Sequence, residues 1–322
     1  MPGLIERPRI ALTGATGFIG RHLLAPLAAG AGGISALARP RAGRALPEFP
    51  GLDWVAGSLN DTEALAALMR GAEVAIHLAG ATKARDGAEF HRINAEGTMQ
   101  VVRAARQAGL RRVALLSSLA VTRPGISDYA ASKSLGETAA RGEAGGMELI
   151  VLRAPAVIGP GDAATAPLLA AMARGWLPVP GGAARDARFS LIDVRDLAAL
   201  IRDAALAETA PPPVSAPYGH RALGWSDMAE AATCATGRRV RHLVLPPPVM
   251  AAAARATDMI ARLTGRPQVF STGKLAEMCA GDWIGDTPVE DPVPLELTLK
   301  FCLDPDYADT GRDVPDSHRS PK

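Results

Sequence analysis

Hydrophobic and polar positions along the first half of the chain alternate between short apolar runs and segments with apolar residues three and four apart. The short runs are RIAL (9–12), GISALA (33–38), LDWVAG (52–57), EVAIHLA (73–79), RRVALLSS (111–118) and ELIVLRA (148–154). Between them the spacing predicts helices over 18–29, 61–70, 88–108 and 128–142, the second opened by a cap at Asn60 or Asp61 with Glu63 in its first turn. Strand, helix, strand in that order implies βαβ units and a parallel sheet. Beyond about residue 155 the texture changes: APAVIGPGD, LPVPGGAARDARF, APPPVSAP and VLPPPV bring frequent Pro and Gly between short helical patterns, which reads as a smaller second lobe. FSLIDVRDLAALIRDAALAE (189–208) resumes the strand-to-helix pattern and is expected to return to the main sheet. The expected division is a first domain over 1–155 with 189–210 returning to it, a second lobe from 156–188 and 211–303, and a polar, Pro-rich disordered tail over 304–322.

Composition narrows the class. A chain of 322 residues that is 48% hydrophobic can bury a full core. Its 35 basic and 33 acidic residues nearly cancel, so no whole-chain field points to nucleic acid or to an anionic membrane. Cys234, Cys279 and Cys302 are too widely spaced for a disulfide framework or a metal site, which favours a reducing compartment. No signal-peptide order precedes the first apolar run, and a cytoplasmic location is expected. In PPPVMAAAARATDMIARLTG (246–265), Val249, Met250, Ala253, Met259, Ile260 and Leu263 recur at helical spacing, which reads as core packing or an oligomer contact such as a homodimer's rather than membrane binding.

The densest chemical signal is LTGATGFIGRHLLAPLAAG (12–30), with Gly14, Gly17 and Gly20 between an apolar strand and an amphipathic helix carrying Phe18, Ile19, Leu23, Leu24 and Leu27. Glycines there let the backbone turn sharply and approach a phosphate, while the helix start offers unpaired N–H groups and partial positive charge. Downstream, Tyr129 and Lys133 stand four apart in a helical segment and share a face. A neighbouring ammonium favours the phenolate and is expected to lower the tyrosine pKa from about 10, which makes Tyr129 a usable acid/base. A hydroxyl at the end of the fifth strand, Ser117 or Ser118, can hydrogen-bond an oxygen that gains charge. His77, ending an apolar strand, reads as a hydrogen-bonded structural residue, and the other histidines show no metal-ligand spacing, so no metal is expected.

The G-x-x-G-x-x-G loop TGATGFIG resembles that of the extended short-chain dehydrogenase/reductase superfamily, the NAD(P)-dependent epimerase/dehydratase-like branch. HLAG (77–80), Asn94 in INAEGT, SSLA (117–120), YAASK (129–133) and LRAPAVIGPGD (152–162) resemble its later motifs in the same order. The resemblance spans about 8–205, with weaker agreement through KLAEMCAGDW (274–283). It implies an α/β fold, a Rossmann-like doubly wound parallel sheet that forms the dinucleotide-binding domain, with a smaller interleaved C-terminal substrate lobe. It implies Ser118, Tyr129, Lys133 and Asn94 as the catalytic group, Asn94 positioning the lysine through water. It also implies cofactor contacts from Gly14, Thr16, Gly17, Phe18, Ile19 and Gly20, from Arg39, from Ser58 and Leu59, from Leu78, Ala79 and Gly80, and from Tyr129, Lys133 and Pro155. Thr82, Ser117, Ala156, Arg185 and Arg188 are candidates on the substrate side.

The stretch after the second strand, ALARPRAGR, lacks the acidic residue that selects NAD and offers Arg39, Arg41 and Arg44 to a 2′-phosphate, so NADP is preferred over NAD. Gly57-Ser58-Leu59 stands where the family often has Gly-Asp-Leu, a departure at the adenine contact. The interval SLAVTRPGISDY (118–129) is shorter than is usual in sugar-nucleotide members, so one wall of the pocket is expected to be small. Three functions follow: an NAD(P)-dependent oxidoreductase acting on a small-molecule carbonyl or secondary alcohol, a nucleoside-diphosphate-sugar epimerase or dehydratase with retained NAD, and a non-catalytic dinucleotide sensor or assembly subunit. Neither a nucleic acid nor a membrane is expected as a partner.

Overall fold

Among residues 7–40 and 46–303, which the computed structural model describes, each apolar run of the first half becomes a strand. These are β1 (Arg9–Thr13), β2 (Gly33–Ala38), β3 (Leu52–Ala56), β4 (Val74–His77), β5 (Arg112–Ser118) and β6 (Glu148–Ala154). The helices between them are α1 (Phe18–Ala28), α2 (Thr62–Met69), α3 (Gly87–His91), α4 (Gly97–Gln107) and α5 (Asp128–Ala144). Asp61, not Asn60, caps α2, its carboxylate accepting from the Ala64 N–H at 3.0 Å. The single helix expected over 88–108 is interrupted by a π-helical turn, Arg92–Glu96, where the Gly97 N–H reaches back to the Arg92 carbonyl. That turn carries Asn94 into the interior.

The second half supplies β7 (Ala156–Ile158), α6 (Ala166–Ala173), β8 (Trp176–Pro180), β9 (Phe189–Asp193), α7 (Val194–Leu206), β10 (Val214–Ser215), β11 (Pro217–Tyr218) and β12 (His220–Leu223). It continues with α8 (Trp225–Thr236), β13 (Arg241–Leu245), α9 (Pro247–Thr264), α10 (Thr272–Met278), β14 (Thr287–Pro288) and α11 (Leu295–Leu303). Among the described residues, no helix is long and apolar enough to cross a membrane. Arg41 and Arg44, and the expected tail over 304–322, lie outside the described residues.

Seven parallel strands form the main sheet in the order β10-β6-β5-β4-β1-β2-β3. This is a doubly wound Rossmann-like sheet, and the order reverses between β1 and β4, the place where such sheets bind ligands beyond their strand ends. Side chains alternate across it. Ile10 and Leu12 face α1 and α7, packing with Leu23, Leu27, Leu197 and Ile201. Ala11, Val113 and Leu115 face the opposite layer, with Leu65, Leu68, Val101 and Ala140. A separate apolar cluster around Met172, Leu177, Val179, Met228 and Leu299 holds the second lobe together.

The segment 189–208 meets the main sheet through its helix alone. Strand β9 pairs with β7 and β12 in a three-stranded sheet, while α7 packs on α1 and the main sheet. The edge beyond β6 is taken by β10, with Val214 opposite Val151. Arg112 fixes the other end of α7 to the sheet. Its fully buried guanidinium donates to the Glu148 carboxylate at 2.6 Å and to the carbonyls of Ala204, Ala205 and Ala207 at 3.2, 3.2 and 2.6 Å. These carbonyls end a helix and would otherwise be orphaned inside the protein. Arg112→Leu is therefore expected to lower stability by roughly 2–4 kcal/mol, the scale of buried polar groups left unpaired. A fall in the urea midpoint at constant slope measures it, and an unchanged midpoint would show the contacts to be dispensable.

Candidate active site

The glycine loop leaves β1 and enters α1 with a distinct job for each glycine. Gly14 has φ +84°, and a Cβ there would stand 2.7 Å from the Ala79 N and 2.8 Å from the Leu78 carbonyl carbon, so the loop lies flat against the end of β4. A Cβ on Gly20 would run into the Gly14 carbonyl, so this glycine lets the helix seat on the turn. Gly17 differs: a Cβ there would meet only the Gly14 carbonyl, at 3.1 Å. Protein packing gives a weak reason for glycine at that position, and a ligand approaching the backbone gives a better one. Helices α2, α3, α5 and α7 start under an Asp or Ser side-chain cap, whereas α1 has no side-chain cap and no acid in its first turn. Its free N–H groups suit an anion, and the loop therefore fits a dinucleotide's phosphates.

Across the switch point, α5 lays one stripe of residues against the end of β5. Tyr129, Lys133 and Glu137 follow each other four apart. The Tyr129 phenol lies beside the Ser118 hydroxyl, whose Oγ accepts from the Ala120 N–H at 3.2 Å. Lys133 Nζ donates to the Leu116 carbonyl at 2.8 Å. Glu137 is buried and accepts from Ser117 Oγ at 2.6 Å, from Arg153 Nε and Nη2 at 2.9 and 2.7 Å, and from Arg141 Nη2 at 3.1 Å. The two serines thus separate: Ser117 is committed to Glu137 and Ser118 lies beside the tyrosine.

Asn94 joins this group from the π turn. Its Oδ1 accepts from the Ala81 N–H at 2.7 Å, and its Nδ2 donates to the Ala81 carbonyl and to Ser132 Oγ, both at 3.0 Å. Gly136 lets α5 approach, since a Cβ there would collide with the Asn94 carbonyl. A Cβ placed on Gly80 would lie 3.1 Å from Asn94 Oδ1 and 3.7 Å from Lys133 Nζ, so the asparagine and the ammonium converge on the end of β4. Below them His77 is buried, with Nδ1 2.6 Å from Thr13 Oγ1 and Nε2 3.1 Å from Thr98 Oγ1. Burial, then the Lys133 charge, pushes its pKa down to about 3, so it is a neutral strut between β1, β4 and α4.

The electrostatics correct one expectation. Burial pushes the Tyr129 phenol up to about 12, against the Ser118 hydroxyl that draws it down and with the Glu277 carboxylate that adds to the rise. Lys133 is itself brought down to about 8 by burial, partly offset by Glu137. Desolvation of two half-buried groups outweighs their expected mutual effect, and at neutral pH the tyrosine is a protonated phenol. Burial also works against ionisation of Glu137, but the bonds from Arg153, Ser117 and Arg141 hold its carboxyl below the usual range.

The other expected contacts sit at strand ends. Arg39 is exposed immediately after β2, Ser58 and Leu59 follow β3, Leu78 and Ala79 follow β4, and Pro155 separates β6 from β7. Thr82 and Ala156 are exposed. Arg185 is exposed at the end of a 3-10 turn, and Arg188 lies 3.6 Å from Asp227. Neither arginine hydrogen-bonds to the Ser118, Tyr129 and Lys133 group. Sequence reasoning missed two neighbours of the tyrosine and one contact of the loop that precedes it. Phe90 of α3 meets its ring edge-on, with centroids 5.9 Å apart. Glu277 of α10 is buried and accepts from Ser127 Oγ, the cap of α5, at 2.6 Å. Arg123 donates to the carbonyls of Ala280 and Asp282 and lies 4.5 Å from the Trp283 ring centroid. The short 118–129 interval is therefore lined by the C-terminal segment, and KLAEMCAGDW was the one signal that could have shown it.

Comparisons with known proteins place the chain in a family and a fold. A ceramide reductase of Caulobacter vibrioides is 36% identical over 296 residues, covering 91% of this chain and 90% of that protein. The solved UDP-glucose 4-epimerase of Thermotoga maritima, with UDP-glucose, superimposes with a TM-score of 0.68 at 20% identity, covering 93% of this chain and 98% of that one. A Bordetella bronchiseptica enzyme in complex with NAD+ does so with a TM-score of 0.67 at 18% identity, covering 91% and 96%. At these identities the two structures establish the fold. The profile of the NAD dependent epimerase/dehydratase family matches residues 10–214. The chain belongs to the NAD dependent epimerase/dehydratase family and is an enzyme of its oxidoreductase and epimerase type.

Proposed function

We propose that this enzyme is an NADP-linked reductase that delivers a hydride to the ketone of a long-chain amide lipid of the ceramide kind, with Tyr129 as proton donor. The observation that carries the reading is the Ser118–Tyr129 pair beside Lys133, with the phenol held protonated. When bound, the dinucleotide supplies the hydride. Ser118 and Tyr129 then hold the substrate oxygen between two hydroxyls, Tyr129 gives its proton to that oxygen as negative charge develops, and the Lys133 ammonium steadies the phenolate left behind. A pKa of about 12 suits a donor that must not lose its proton before the substrate arrives. The lipid class is supported by the 36% identity to the Caulobacter ceramide reductase along nearly the whole chain. Against a sugar nucleotide stands Arg188, a candidate for its diphosphate, which pairs with Asp227. The proposed phosphate selection rests on Arg39, exposed just past β2.

Tyr129→Phe is expected to keep the fold and cofactor affinity while turnover falls by about 10²–10⁴, the usual contribution of a general acid. Near wild-type oxidation of NADPH by that variant, with the long-chain keto-amide as substrate, would remove the tyrosine from the chemistry. NAD released from the purified protein by denaturation, with no NADPH turnover, would favour an epimerase instead. Arg39→Asp should weaken NADPH far more than NADH in calorimetry, and equal losses would sink the 2′-phosphate contact.

Lys133 yields a prediction about stability. Its folded pKa, about 8, lies below the ordinary lysine value of 10.5, so between these pH values the unfolded chain binds more protons and stability rises with pH. Below about pH 8 the whole penalty for burying the ammonium is present. Lys133→Met should therefore lose turnover yet melt above the wild type at neutral pH, the gap closing as the pH passes 10.5. A gap that does not change with pH would assign the effect to packing.

A further inference from the structure

Helix α9 has two apolar faces and the body of the protein covers one of them. Met250, Ala254 and Ala261 are buried. Nearly on the opposite side, a second stripe at three- and four-residue spacing runs the length of the helix: Val249, Ala252, Ala256, Met259, Ile260 and Leu263. It faces solvent, with Leu263 80% exposed, Met259 62%, Val249 55% and Ile260 49%. The sequence expectation of core packing accounts for Met250 alone among the large residues singled out there. Apolar exposure continues onto the ribbon that leads into the helix, where Trp176 of β8 and Leu243 of β13 are each 45% exposed.

The charge around this surface is one-sided. From 238 to 266 the chain carries six arginines, Arg238, Arg239, Arg241, Arg255, Arg262 and Arg266, all exposed, against one acid. That acid, Asp258, is occupied by the Thr272 N–H and hydroxyl at 3.2 and 2.7 Å. Arg255 and Arg262 stand seven apart beside the apolar stripe, where their stems can lie along it and their guanidiniums reach outward. An exposed apolar stripe flanked by unpaired positive charge, on an otherwise nearly neutral protein, is the pattern of a helix lying in the plane of an anionic lipid surface. A second copy of the chain would bring the same arginines against each other.

We infer that the outer face of α9 docks this enzyme on anionic membranes. Through Asp258 the helix holds the first residues of α10, and α10 touches the start of α5 through Ser127 and Glu277. The docking face and the Tyr129 site are thus joined by one short helix, which sets the site close to a surface from which an amphiphile can be drawn. The docking claim stands independently of the proposed reaction, because binding is read without turnover.

Co-sedimentation of the full chain tests it, with vesicles of phosphatidylcholine alone and vesicles that also contain phosphatidylglycerol. The expected result is binding to the second kind only, weakening with salt. M259E/L263E should abolish it, and R255A/R262A should weaken it by about tenfold or more. Both pairs are on the surface, so melting temperature and NADPH binding should match the wild type and show that the variants are folded. No sedimentation of the wild type with anionic vesicles, or equal sedimentation of wild type and M259E/L263E, overturns the proposal. So does a wild type that is dimeric and becomes monomeric in M259E/L263E without either binding vesicles, which would make this face a contact between copies.

Discussion

The attachment of α5 to the end of β5 is the constraint on which the site depends. Three side chains four apart on the helix meet three successive residues of the strand: Glu137 takes the Ser117 hydroxyl, Lys133 the Leu116 carbonyl, and Tyr129 lies beside the Ser118 hydroxyl. Ser117, within the strand, is tied to a buried carboxylate, and Ser118, which ends the strand and caps the 3-10 turn that follows, is the hydroxyl left beside the phenol. Arg153 extends the same anchor to β6. Sliding the helix by one residue would break all of these contacts together, and this makes the position of the phenol a property of the fold rather than of a single rotamer.

The second fixed point is the π turn. An ordinary helical turn would keep a continuous helix over 88–108, whereas the extra residue brings Asn94 inward to hold Ala81 by both its N–H and its carbonyl. Gly136 allows α5 to rest on that turn, and Thr98 ties the Asn94 carbonyl to the histidine that spans β1 and β4. The glycine loop, which rests on the end of β4, is thereby linked to the lysine through protein alone. Such close contacts leave little water around Tyr129 and Lys133, and the displaced pKa values follow from that burial.

Most of the first half was legible in the sequence, because a buried parallel strand and an amphipathic helix leave different periods and Gly14 and Gly20 are dictated by close backbone contact. Tyr129 and Lys133 were legible for a similar reason, as their spacing is itself the helical repeat. What escaped was contact between distant segments. Glu137 reads in sequence as one more acid on a helix, and only the register of β5 and β6 beneath it reveals a buried anchor. Glu277 lies 150 residues from the Ser127 it touches, and no local pattern joins them. The tyrosine's acidity was misjudged for a related cause: spacing shows that an ammonium is near, while desolvation depends on everything else that is.

Helix α10 turns these distant contacts into a single arrangement. Its first turn is held by Asp258 of α9, its buried Glu277 accepts from the cap of α5, and the Glu277 carbonyl accepts from the Trp283 indole, whose ring in turn carries Arg123 from the loop after Ser118. Glu277 therefore has two effects on the tyrosine, one mechanical through Ser127 and one electrostatic through its charge, and both keep a protonated phenol in place. This segment touches the start of α5, the loop after Ser118 and the apolar surface helix α9. The C-terminal segment is thus joined to the first lobe beside the candidate site, by polar bonds to Ser127 and Arg123, whose donors remain satisfied only while that segment stays seated.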